Sequence, residues 1–470
     1  MGSSRSLRIL VVVALLLCAA VADAACLSQV RETSSGVFNR TATAVAWSGT
    51  VLGVTKVDES GNRSIHFAIY SEDLVPFTFD RKIADGSFLG VIALRWTGSE
   101  FAIFYQDPLR QLFMQRVSAS GEPIGSASAI SPNHPALNDR EYDVAWDVTR
   151  QAFLIVTSIS TGQDRGLWLI TVNRDGTVRS DEVITTNIVP PAFPRIAANK
   201  SGAFAVLFRR SGLFSARVYD GAGVGGQVQP ITTGREARIA AGGNTFVIVG
   251  NTPAVAPTEI DWAVVDDHGN LVAPSSRLFS ARGVEIAPVS LVWNDSRNEW
   301  ALAYHDSAFP FTQVPPDYRL RRFTASGTLI SDSMFSIDGL LARLATAQPF
   351  VWTGSSYVSA ASRNASSTAT PESYLIRLCP LTATISAPQF FRAGQNVTFT
   401  ARVDGGASDQ TFTWSFGDSA QNETGQSITR RYDRLGDYTI VLRVSDSTGA
   451  TSVATLDVHV IVPKRRAVKR

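Results

Sequence analysis

Residues 305–317 read HDSAFPFTQVPPD, which sets His305 and Asp306 beside Phe309 and Phe311 in a stretch stiffened by prolines. Aromatic faces next to hydrogen-bonding groups suit sugar recognition: a ring offers a flat apolar surface while polar neighbours pair with hydroxyls. Arg209 and Arg210 add a pair of cations that could contact an anion. These six residues form the candidate ligand-binding set. The competing reading is an ordinary solvated loop in which both Phe rings pack down and pin the segment.

Other chemistry is hard to find. No stretch reads G-x-S-x-G, H-E-x-x-H or a P-loop. Asp266-Asp267-His268-Gly269-Asn270 imitates a calcium loop only loosely, because the spaced carboxylates and the terminal Glu are missing. The histidines are scattered, and no Cys/His cluster has ligand spacing. No metal and no cofactor are therefore expected. A net charge of +2 gives no global pull toward nucleic acid.

The N-terminus predicts export. Arg5 and Arg8 precede an apolar run from Ile9 to Ala20, and Ala22-Asp23-Ala24 forms an A-x-A cleavage site, so residues 1–24 read as a secretory signal peptide. The run is shorter than the ~20 residues a spanning helix needs, and no transmembrane segment is expected in the mature chain. Cleavage removes Cys18 and leaves Cys26 and Cys379, an even count that favours a disulfide in an oxidising compartment.

The elements that must position these residues are repeats. Blocks such as TAVAWSGTVLGVTKV (from Thr43), IALRWTGSEFAIFYQD (from Ile92) and YDVAWDVTRQAFLIVTS (from Tyr142) align with others starting at Pro194, Ala237, Val289 and Gln348. The aligned position is Trp47, Trp96, Trp146, Ala198, Ala241, Trp293 and Trp352, a period of about fifty residues. Each copy holds two alternating runs, a third such as LFMQRVSASG and a weaker fourth. Alternation with period two marks strands, and Gly after a polar residue marks hairpin turns. Four strands repeated at this period resemble a seven-bladed β-propeller of the secreted bacterial repeat type, over residues 25–380.

That architecture carries further expectations. The tryptophans should wedge between blades rather than form a binding row, with smaller packing at Ala198 and Ala241. The seventh copy lacks a fourth strand, so the mature N-terminus should supply it and bring Cys26 beside Cys379. The S-x-D-x-G-x-T-W turns of sialidase-type propellers are absent, and no arginine triad can be assigned. The loops at 131–141, 251–259 and 305–317 should share one face of the ring.

From residue 381 the pattern changes to about seven short alternating strands. Trp414-Ser415-Phe416-Gly417-Asp418-Ser419 and Gly436-Asp437-Tyr438-Thr439-Ile440 resemble the W-x-F-G-D-G and G-x-Y-x-V segments of PKD (polycystic kidney disease) domains, with Ser419 where that family has Gly. The resemblance implies an Ig-like β-sandwich over 381–463 that spaces, supports or adheres, followed by a basic tail at 464–470. Trp414 and Phe416 should point inward, and Tyr438 resembles a tyrosine corner.

The whole reads as an all-β protein, secreted or held in the periplasm or at the cell surface. Its expected role is non-catalytic binding or adhesion, with carbohydrate or a cell-surface protein as partner and nucleic acid excluded. A polysaccharide-acting hydrolase or lyase is the alternative, since carboxylates from separate blades could converge. A structural spacer in a larger assembly is the third reading.

Overall fold

The computed structural model describes residues 29–32, 40–58, 63–78, 80–86, 89–131, 141–159, 166–186, 192–226, 229–232, 236–252, 258–280, 284–308, 317–335, 341–344, 350–364, 372–379, 381–406, 409–418, 421–446 and 451–462. These form two compact units, one spanning Gln29–Arg377 and the other containing Leu378–Arg470. All of the secondary structure among them is strand. No helix of the described residues is long and apolar enough to cross a membrane.

The first unit is a β-propeller whose blades are the expected repeats. Blade one pairs Arg40–Trp47, Leu52–Asp58, Ser64–Tyr70 and Arg81–Asp85 in that order. Blades two to six repeat the arrangement, starting at Leu89, Tyr142, Arg195, Ala237 and Val284. Each blade is apolar on both faces, and its neighbours cover them. Ala44 and Ala46 pack on Ile92 and Leu94 of blade two, while Val45 and Leu52 pack on Val358 and Leu375 of blade seven. Blade one therefore touches both the second blade and the last, which closes the ring.

Closure uses the N-terminal strand as expected. Gln29–Glu32 pairs antiparallel with Glu372–Leu378, the third strand of blade seven, in the register Gln29↔Arg377 to Glu32↔Tyr374. Cys379 follows that strand directly, whereas Cys26 lies outside the described residues. The bond between them is kept as a proposal. Peptide mapping of unreduced mature protein should recover the two cysteine peptides joined, and two free thiols would overturn it.

Blade seven departs from the simple repeat. Its inner strand is split into Leu341–Leu344 and Phe350–Trp352, both lying along Tyr357–Asn364. The pairing sum shifts between the two pieces, Leu344↔Ala361 against Phe350↔Ser359.

The aligned tryptophans wedge as expected. Trp96 packs with the cluster between blades one and two, and Trp293 with that between blades five and six. Each stacks obliquely on the first aromatic of the next strand: Trp96 on Phe101 and Trp293 on Trp300, both at 4.6 Å between ring centres. Where the wedge is Ala198, other groups fill the space. Arg150 reaches from blade three over Phe204, and its guanidinium donates to the Gly202, Asp220 and Gly221 carbonyls. Beside Ala241, Gly242 makes room, since a Cβ there would stand 2.7 Å from Trp293.

Two buried carboxylates tie blades together. Glu299 accepts both Arg322 Nε (2.9 Å) and Arg322 Nη2 (2.7 Å) within blade six, and Tyr357 of blade seven donates to it at 3.1 Å. Glu100, at the same place in blade two, accepts Arg116 of its own blade and Arg174 of blade three.

The second unit is an Ig-like sandwich of two sheets. One pairs Thr382–Ser386, Asn396–Asp404 and Ser427–Arg431; the other contains Thr411–Ser415, Gly436–Ser445 and Thr451–Ile461, with Phe390–Arg392 and Glu423–Thr424 beside them. Trp414 and Phe416 point inward, with 0% and 2% of their surface exposed. Gly417 has φ +72°, and a Cβ there would meet the Thr439 carbonyl oxygen at 2.9 Å, so the turn requires glycine. Asp418 reaches across to Arg430, whose guanidinium lies 4.6 Å from the Phe416 ring centre. Tyr438 donates to the Arg434 carbonyl upstream, in the manner of a tyrosine corner.

Candidate functional site

The inner strands of all seven blades surround a cavity of about 630 Å³, inside the range of small-ligand sites. Its charged lining comes from the repeat itself. Counting three positions back from the aligned Trp gives Ala44, Ala93, Asp143, Arg195, Arg238, Ser290 and Pro349. Blades three to six thus place two guanidiniums, a carboxylate and a hydroxyl at one level of the channel wall, and Arg95 reaches that level from blade two.

Most of these groups also join blade to blade. Arg95 Nε donates to the Val144 carbonyl at 2.6 Å, and its Nη2 pairs with Asp143 at 3.1 Å. Asp143 passes the link on by accepting the Ile196 amide at 3.0 Å with its other oxygen. Arg238 Nε donates to the Val289 carbonyl of blade six at 2.8 Å. Arg195 donates to the Pro194 carbonyl alone among the described residues.

The charge balance at this level is positive. Burial pulls the Arg238 guanidinium down to about 10, and the neighbouring Arg195 charge pulls the same way. Glu236, 3.7 Å from Arg238, and the Asp143 charge offset this only in part. Burial likewise lowers Arg95, against the opposing pull of Asp143.

Near the other end of the same strands, Trp47, Trp96, Trp293 and Trp352 line the cavity while half-buried in their wedges. The rings expected to wedge between blades thus also line the cavity. A wedge driven in from the channel side leaves part of its ring facing the channel. Asp295 sits among them, already accepting Trp293 Nε1 and Lys200.

Of the residues expected to bind, Arg209 and Arg210 do not line this cavity. His305 and Asp306 belong to a strand, Glu299–Ala308, whose pairing runs on through His305↔Tyr318 and Asp306↔Asp317, so the hairpin is longer and the loop shorter than expected. Phe309 and Phe311 lie outside the described residues, as do 132–140 and 253–257 of the other expected loops. Arg209 and Arg210 end the strand Phe204–Arg210, the first half-buried and the second exposed. Asp266, Asp267 and His268 do approach one another within 4.8 Å. The Asp266 carboxylate, however, is occupied by the His268 and Asn270 amides and the Asn270 side chain, as in a capped turn.

Residues 380–460 match the PKD domain family. They are similar to the PKD1 domain of Vibrio anguillarum Epp at 26% identity, over 18% of this chain and 96% of that chain, with a TM-score of 0.15. The β-propeller domain of the Trilobed protease from Pyrococcus furiosus is similar at 8% identity, over 72% of this chain and 95% of that one, with a TM-score of 0.43. The SapL1 lectin, solved with alpha methyl fucoside, is similar at 13% identity, over 62% and 94%, with a TM-score of 0.37. No curated protein matches the chain. The class is thus a β-propeller followed by a C-terminal PKD domain. At these similarities no solved structure assigns a ligand.

Proposed function

We propose that this chain is an exported, non-catalytic binding protein whose ring recognises carbohydrate in its central cavity, with the PKD domain as spacer or adhesive module. The observation that carries this reading is the set of four half-buried Trp rings around a cavity whose two lining carboxylates are already engaged. Glycoside hydrolysis wants a carboxyl pair about 5–9.5 Å apart. Asp143 lies three positions before the aligned Trp and Asp295 two positions after it, a span of roughly 16 Å along the strands. That backbone spacing does not favour a catalytic pair flanking one glycosidic bond. Export rests on the N-terminal segment, and PKD domains usually occur in extracellular or surface proteins.

Purified mature protein applied to a glycan array should retain a defined set of glycans. Their addition in solution should change tryptophan fluorescence, because rings of the wedge line the cavity. The sugars should be recovered uncut after prolonged incubation. Release of shorter products would establish the hydrolase or lyase reading instead. An array without any retained glycan would end the carbohydrate reading.

A further inference from the structure

We infer that the blade-four and blade-five side of the cavity holds the carboxylate of an acidic sugar, gripped by Arg195 and Arg238. This rests on the cavity being the binding site and names the ligand's chemical class. The argument starts from which groups are already committed. Asp143 spends Oδ1 on Arg95 and the Val144 amide, and Oδ2 on the Ile196 amide, so its single charge is shared among three arginines and only partly offsets Arg195 and Arg238. Arg238 uses Nε on Val289 and Nη1 on Ala237, leaving Nη2, among the described residues, with Glu236 at 3.7 Å. Arg195 gives Nη1 to Pro194 and has further donors over, among the described residues.

Two neighbouring guanidiniums, one of them held down by burial, are a costly arrangement unless an anion joins them. Burial and the Arg195 charge both act against the protonated form of Arg238, and a bound anion would relieve each. A carboxylate fits the planar fork of a guanidinium in a bidentate way. The Ser290 hydroxyl stands at the same level on blade six, able to pair with a neighbouring sugar hydroxyl.

Length also fits. The Trp position lies three residues further along each inner strand, roughly 10 Å away. A sugar anchored by its carboxylate at the arginines can extend toward Trp293 and Trp352, on whose rings a following residue would stack. Because the arginines occupy blades four and five and Ala93 lines the opposite wall, the ligand is expected to lie off-centre in the channel.

The test uses the full mature chain and an array that pairs uronate-bearing oligosaccharides with the same glycans after reduction of the carboxylate to an alcohol. The acidic member of a pair should bind at least about tenfold more tightly than its reduced partner. Arg195→Gln should abolish that preference at an unchanged melting temperature, and Arg195→Lys should keep part of it. Equal binding of acidic and reduced members, unaltered by Arg195→Gln, would overturn the acidic-sugar inference and leave carbohydrate binding standing. Failure to bind either member of any pair would remove both. Should Arg195→Gln not fold, the acidic-to-reduced ratio of the wild type and of Arg195→Lys still decides.

Discussion

Glu299→Ala should destabilise the propeller by roughly 3–5 kcal/mol, the cost of stripping the partner from a buried charge. Arg322 is 2% exposed, and its Nε and Nη2 both donate to this carboxylate. Arg322 Nη1 also lies 3.4 Å from Ser331 Oγ, a neutral group that does not replace the carboxylate charge. The Tyr357 hydroxyl of blade seven loses its acceptor as well, and burial together with the Glu299 charge already holds that phenol above its ordinary range. Thermal or denaturant unfolding of the propeller measures the loss. A double variant, Glu299→Leu with Arg322→Met, should recover much of it, because apolar groups of similar volume leave no orphaned charge. A loss under 1 kcal/mol for Glu299→Ala would show that water reaches Arg322 and that the pair does not seal blades six and seven.

How far the sequence carried the fold can be judged residue by residue. Blades were legible because alternation with period two and a polar-Gly turn recur in every copy, so a weak signal in one blade is reinforced by the others. Closure was legible too: a seventh copy without a fourth strand, and a spare segment before Arg40, have one economical solution. The register shift between Leu341–Leu344 and Phe350–Trp352 was not legible, because it leaves the sequence spacing of Trp352 unchanged. Nor was the Arg150 plug at Ala198, since a surface-type residue in a turn gives no sign of which neighbour it fills.

The channel lining was hidden for a different reason. Arg195 and Arg238 sit in separate copies and meet only once the ring is drawn, so no local motif contains them. A signal was nevertheless present in the alignment, where the column three before the Trp changes from Ala44 and Ala93 to Asp143, Arg195 and Arg238. Charged residues on the innermost strand of a closed ring must either pair or face the channel. The residues of 305–317 give a stronger local signal because aromatic and polar groups cluster in sequence, yet strand pairing takes up His305 and Asp306.

Trp414→Ala should unfold the PKD domain while the propeller transition stays where it is. Trp414 is fully buried, stacks on Phe416 with ring centres 5.8 Å apart, and donates Nε1–H to the Gly425 carbonyl at 2.8 Å. Truncation removes the largest side chain of that core, at a cost of about 3–5 kcal/mol, and leaves an acceptor unpaired. A domain of this size has a total stability of only about 5–15 kcal/mol, so the loss takes most of the margin. Among the described residues, the cluster around Trp414 contains residues from Leu381 to Val460, and none of them belongs to the propeller clusters. Calorimetry should therefore show one transition weakened or absent and the other unmoved. Trp414→Phe should cost less, keeping most of the buried area and forfeiting the hydrogen bond to Gly425. Loss of both transitions together in Trp414→Ala would mean that the propeller depends on the PKD domain for its own stability.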